Sequence, residues 1–263
     1  MDRKLILKKG ADFFLKDEKM VFVKSANNSF TGENSDKLVN KIKLFLKKYP
    51  VLFNFAYNFF GASPVGRDAK AIIKEIDADK LIVNLGSGAR KIQEGVVNVD
   101  FYPFKNVDIV ADISDLPFAD SSVDVVINEF VLEHVPNPEE IVAEIKRILK
   151  PGGIVYVSVP FVMSFHSSPN DYYRWSKQGL RELLRDFQED DCGIKCGPTS
   201  AMRYVVSEWL ATILSFNLIQ LQQLLFMFFM VVSSPLNLFD FLISNFKSSE
   251  NIAVGFYFIG RKK

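Results

Sequence analysis

Gly86, Ser87 and Gly88 form a turn between two apolar runs, and the second run ends on Asp100, twelve residues beyond Gly88. Two glycines let a backbone turn tightly and approach a ligand with no Cβ in the way. A carboxylate at a strand end has two oxygens, enough to accept both hydroxyls of a ribose. The combination suits an adenosine-type ligand. A dinucleotide site would instead open a full helix with G-x-G-x-x-G and seat a pyrophosphate at the helix N-terminus. "GSGARKIQEG" has no third glycine at the right place, so a nucleoside without a phosphate fits better.

A second concentration of functional groups follows. "PFVMSFHSSPNDYYRWSKQGLRELL" carries His166, Asp171, Tyr172, Tyr173, Arg174 and Trp175 within ten residues. His166 is the candidate base, because an imidazole accepts a hydroxyl proton near neutral pH. Arg174 has the fork that clamps a phosphate or carboxylate, and Trp175 a face that stacks on a sugar. Asp171 and Tyr172 complete the expected acceptor contacts. The competing reading is an Asp171–Arg174 ion pair that only pins the loop. No metal is expected. The two cysteines, Cys192 and Cys196, lie far from the two histidines, His134 and His166, and read as reduced thiols.

Positioning these groups requires a regular scaffold. The spacing predicts a helix over 68–75, strands over 80–85, 96–100, 108–111 and 124–128, a helix over 138–149 stopped by "KPGG", a strand over 154–160 and a helix over 176–187. Such alternation gives an α/β fold with a mostly parallel sheet covered on both faces. Ligands of such sheets bind beyond the carboxyl ends of the strands, where both clusters fall.

Between them, "DIVADISDLPFADSSVDVVINEFVLEHVPNPEEIVAEIKRILKPGG" completes a pattern. Glycine turn, acidic strand end, "D-I-x-x-L-P-F", "L-E-H-V" and "L-K-P-G-G" stand in the order of the class I S-adenosylmethionine-dependent methyltransferases, which the chain resembles from about 81 to 160. The resemblance implies a doubly wound, seven-stranded, Rossmann-like methyltransferase fold and S-adenosylmethionine as cofactor. It implies that Gly86, Ser87 and Gly88 line the methionine part, that Asp100 holds the ribose and that Phe101 lies against the adenine. Asp112 and Ile113 would meet the adenine edge, and Asn128 and Glu129 would close the site beneath the sulfonium. "LEHV" would brace a helix start. Asn84 stands where the family commonly has an acid, which forfeits about 1 kcal/mol of charge-assisted attraction for the cofactor's cationic groups. The loop at 166–174 resembles, more loosely, a stretch in methyltransferases of bacterial surface-glycan clusters.

The chain of 263 residues has a net charge of +1. Residues 1–60 hold twelve Lys/Arg against six Asp/Glu, so the remainder is acidic. A balanced body speaks against nucleic acid as partner. Residues 1–64 read as a β/α extension ending in a basic amphipathic helix over 36–60, and 65–204 with 250–263 as the methyltransferase domain. Residues 205–249 form an apolar helical insertion before the last strand, uncharged from Trp209 to Phe239. The start shows no signal-peptide core, so the expected place is the cytoplasm, peripheral on the inner face of a membrane. The leading expectation is O-methylation of a saccharide or lipid-linked acceptor. The alternatives are a soluble metabolite with the insertion as a homodimer seam, and a non-catalytic cofactor-binding module.

Overall fold

The computed structural model describes residues 6–22, 61–165 and 170–263. The helix expected over 36–60 and the candidate base His166 lie outside the described residues.

The core of the sheet is a parallel series. Four short apolar strands, β3 (Ile82–Leu85), β4 (Val97–Asp100), β5 (Ile109–Val110) and β6 (Val123–Glu129), pair in parallel in the order β5-β4-β3-β6. Nearly every residue of these strands is buried, Asn84, Asn98, Asp100 and Asn128 included, because both faces of the sheet are covered. β7 (Leu149–Pro160) pairs parallel to β6, with an irregularity in register where "KPGG" is accommodated. β9 (Gly255–Lys262) then runs antiparallel between β7 and β8 (Phe187–Cys196).

Among the described residues the sheet has nine strands where seven were expected. β1 (Phe14–Lys16) and β2 (Lys19–Val21) form a hairpin, and β2 pairs in parallel with β5. Asp17 and Glu18 at its turn both take positive φ, the geometry that matches strand twist in two-residue hairpins. The extension therefore lengthens the sheet.

Each face has its own cover. α1 (Ala69–Lys74), capped by Asp68 accepting the Ala71 N–H, buries Ile72 and Ile73 against Ile82, Ile127, Tyr156 and Tyr257. On the opposite face α2 (Pro138–Ile148) lays Ile141, Ile145 and Ile148 on Val83, Val126 and Val155, and α3 (Lys177–Leu183) adds Leu180. The helical insertion starts at Pro198, earlier than the expected 205. It comprises α4 (Pro198–Leu214), α5 (Ile219–Val232), a 3-10 turn and α6 (Leu238–Ile243). Gly197 precedes it, and the buried Asp240 carboxylate accepts the N–H groups of Thr199 and Ser200 at 2.6 and 3.0 Å. An acid from α6 thus caps α4.

Candidate functional site

The glycine turn and the acid are one hydrogen-bonded unit. Gly86 and Ser87 donate their N–H groups to the Val99 carbonyl. The Gly88 N–H then meets Asp100 Oδ2 at 2.7 Å, and the Tyr102 N–H meets Oδ1 at 2.9 Å. Both glycines take positive φ, and they serve different ends. A Cβ at Gly86 would fall 2.4 Å from the Val131 side chain, so Gly86 lets the turn close on the segment after β6. A Cβ at Gly88 would meet nothing within 4 Å, so its backbone faces open space. Burial pushes the Asp100 carboxyl up, against the pull of its amide partners. The Phe101 amide also draws on the carboxylate, whose two oxygens together offer about four acceptor positions and so keep lone pairs to spare. That is the acceptor set a ribose diol requires.

Beside this unit the sheet holds a buried amide pair. Asn84 Nδ2 donates to Asn98 Oδ1 at 3.2 Å, and Asn98 is itself tied to Asp108. The neutral residue at 84 therefore has a matched neighbour. Phe101 is exposed beside Asp100. Asp112 is exposed too, accepting from the N–H and hydroxyl of Ser114, and Ile113 packs partly on the core.

At the ends of β6 and β7 polar groups are buried without partners. Neither side-chain atom of Asn128 has a hydrogen bond, nor has the Ser158 hydroxyl. Buried polar atoms are rarely left so, and these flank the place where ligands of such sheets sit. Glu129, in register with Ser158, is held by Lys195, whose Nζ lies 2.9 Å from Glu129 Oε1 and 2.8 Å from the Tyr156 hydroxyl. The Tyr156 hydroxyl in turn donates to the Arg67 carbonyl at 2.9 Å. The sequence offered little sign of Lys195: a lysine inside "CGIKC" reads as a solvated strand residue, yet it is buried.

The described part of the loop expected to contact the acceptor, 170–175, meets the same end of the sheet. Tyr172 N–H donates to the Glu133 carbonyl, Tyr173 hydroxyl to the Pro136 carbonyl, and His134 Nδ1 lies 2.5 Å from the Asn170 carbonyl. Arg174 does not point a free fork outward. Its guanidinium is bidentate to Asp171 and donates to the carbonyls of Met163, Ser164 and Tyr173. The guanidinium thus takes the arrangement of the competing reading, an Asp171–Arg174 pair that pins the loop. Tyr172 stays exposed, and Trp175 packs partly on the core near Tyr173. Glu133 is fully buried with neither oxygen hydrogen-bonded and His134 Nε2 3.9 Å from Oε1, and burial pushes its carboxyl up to about 8. His134 is pushed the other way by burial. At neutral pH the two side chains are predominantly uncharged.

Residues 75–157 match the family described as a methyltransferase domain. The chain carries a class I S-adenosylmethionine-dependent methyltransferase domain. The cofactor of that family is S-adenosylmethionine, and the residues present fit it: open backbone at Gly88, spare lone pairs on Asp100, and unpaired buried polar groups at Asn128 and Ser158. A probable S-adenosylmethionine-dependent methyltransferase of Mycolicibacterium smegmatis is 43% identical over 54 residues, 20% of this chain and 21% of the relative. A sterol 4-C-methyltransferase of Caenorhabditis elegans is 33% identical over 75 residues, 28% of this chain and 21% of the relative. The matches thus span about a fifth of each relative's length. Among solved structures, phosphoethanolamine N-methyltransferase 2 of Haemonchus contortus with S-adenosyl-L-methionine superposes with a TM-score of 0.47 at 17% identity, over 84% of this chain and 59% of that one.

Proposed function

We propose that the chain methylates a hydroxyl group of a saccharide or lipid-linked acceptor at a membrane surface, using S-adenosylmethionine. The observation that carries the reading is the Asp100 carboxylate, locked to the Gly88 and Tyr102 amides with lone pairs to spare. Bound there, S-adenosylmethionine supplies a methyl group made electrophilic by positive sulfur. Asp100 receives the ribose hydroxyls, Phe101 covers the adenine, and Asp112 with the Ile113 amide meets its edge. Gly86, Ser87 and Gly88 bound the methionine part. Asn128 and Glu129 close the floor, with Lys195 fixing where Glu129 can go.

Methyl transfer is an in-line displacement, so the chain's main work is alignment, plus removal of the acceptor's proton. The loop over 170–175, fastened by Arg174 and Asp171, is rigid enough to present Tyr172 and Trp175 to a sugar. His166 is the base of this proposal. What favours a lipid-linked acceptor is the apolar insertion leaving β8 a few residues after Lys195, beside the site.

Calorimetry tests the cofactor: the parent should bind S-adenosylmethionine, and Asp100→Ala should weaken it by about tenfold or more through loss of both ribose acceptors. Equal binding by the variant would remove the site from Asp100. The acceptor is tested by transfer of labelled methyl into membrane extracts. Label in the organic phase supports a lipid-linked acceptor, whereas label confined to water-soluble metabolites replaces it with a small soluble one.

A further inference from the structure

The helices between β8 and β9 are built inside out for water. On α4 the inward stripe is Arg203, Ser207, Ala211 and, at the helix end, Ser215, all buried and all small or polar. The outward stripe, Met202, Val206, Trp209 and Ile213, is large, apolar and exposed. A helix on a soluble domain shows the reverse pattern. Small residues at the helix contact, with polar groups bonded between helices, are how helices pack when the surrounding medium is apolar. α5 follows suit: Phe228 and Val232 are exposed, while Gln222 turns to α4 and donates to Glu208 Oε1 at 2.8 Å. On α6 Leu238 and Leu242 are exposed and Asp240 is buried in its cap. Phe216, in the turn between α4 and α5, is 83% exposed.

Two covers are conceivable, a lipid bilayer and a second copy of the chain. The position of Gly61 decides between them. Its carbonyl accepts from Asn237 Nδ2 at 3.0 Å and from Arg203 Nη1 at 3.3 Å, so the chain enters the described domain at the insertion. The 24 residues before it, 37–60, contain five lysines, seven aromatic residues and no acid. Lysine is drawn to anionic headgroups, and aromatic rings favour the membrane interface. Five lysines with no acid suit an anionic surface and offer a second copy of the same segment no opposite charge. Among the described residues no single helix is long and apolar enough to cross a membrane, although Ile219–Val232 and Ser234–Ile243, bent by 52°, have together the length and composition of a broken span. Fourteen residues of α5 reach about 21 Å at 1.5 Å each, short of a hydrocarbon core about 30 Å thick.

We infer that the insertion is a membrane-docking hairpin that beds its outward faces in one leaflet of an anionic bilayer, with its polar latch toward the sheet. The inference rests on no step of methyl transfer and fails or stands separately from it.

Flotation of the full chain with vesicles of phosphatidylcholine and phosphatidylglycerol tests it. The chain should float, more strongly at low salt than at high, and the emission of Trp209 should shift to the blue. Trp209→Glu and Leu242→Glu, at exposed positions, should each weaken partition by about tenfold or more, with melting temperatures within a few degrees of the parent. If either loses its fold, Trp209→Ser and Leu242→Ser carry the same comparison. Exchanging Lys37, Lys41, Lys43, Lys47 and Lys48 for Gln should remove most of the salt dependence. Parent protein that stays in the supernatant, or folded glutamate variants that float like the parent, would overturn the inference. A dimer that Trp209→Glu dissociates, with no vesicle binding, would assign the surface to a second copy.

Discussion

Glu133 is the side chain whose state depends most on being folded. Its carboxyl ionises near 4.5 in an unfolded chain and near 8 in the buried turn. The folded pKa is raised, so this group's favourable contribution is whole below about 4.5 and is lost as pH rises through 8. The span corresponds to a loss on the order of 3–5 kcal/mol. Glu133→Gln keeps a neutral side chain of like shape, and its melting temperature should fall less than the parent's between pH 5 and 8. Parallel profiles would mean that Glu133 titrates like an exposed acid. Asn84 gives a second prediction. An aspartate there would turn an oxygen on Asn98 Oδ1, or force Asn98 to flip and give up Asp108. Asn84→Asp should lose about 1–2 kcal/mol of stability yet bind S-adenosylmethionine as tightly or more tightly. Reduced affinity would show that the neutral pair itself serves the cofactor. Asp100 could be picked out in the sequence because its place, at a strand end after a glycine turn, is local. Lys195 could not, since its partners Glu129 and Tyr156 lie 66 and 39 residues away.

Elements were legible where burial writes a period into the chain. The apolar runs of β3, β4, β6 and β7 and the i, i+4, i+7 spacing of Ile141, Ile145 and Ile148 on α2 place them within a few residues. The nine-stranded outcome was not legible, because nothing in "FFLKD" states which edge its hairpin joins. The start of α4 at Pro198 rather than 205 was hidden for a different reason: the group that caps it, Asp240, stands some forty residues on. The break between α5 and α6 is likewise held from a distance. Arg203 donates to Ser233 Oγ, the Met230 carbonyl and Asn237 around that break, and burial pulls its guanidinium down. A lysine is a single point donor and cannot span these acceptors. Arg203→Lys should therefore cost about 2–3 kcal/mol and speed amide exchange over 230–240, with the β3–β6 amides little changed. Uniform loss of protection across the sheet would show that the latch supports the whole domain.

On the scale of the whole molecule, the cofactor end of the sheet and the helical insertion share one piece of backbone. Lys195 bonds Glu129, the proposed floor of the site, and its carbonyl accepts the N–H groups of Val65 and Gly66. Gly197 N–H reaches the Ser63 carbonyl, and Ser200 Oγ, bonded to Asp240, accepts the Ser63 N–H. Residues 61–66 and 195–200 therefore form a seam between the floor of the site and the latch. Gly197 is its tightest point, where a Cβ would stand 2.3 Å from Asp240 Cγ. Gly197→Ala must displace either Asp240 or the end of β8. Because Asp240 is fixed by three donors from the first turn of α4, the strand end should yield, carrying Lys195 with it. The expected result is weaker S-adenosylmethionine binding, by several-fold, together with faster exchange over 198–243. Trp209→Glu, on the outward face, should leave cofactor affinity unchanged. If Gly197→Ala loosens the helices while S-adenosylmethionine binds as to the parent, the seam transmits nothing and the two halves act independently.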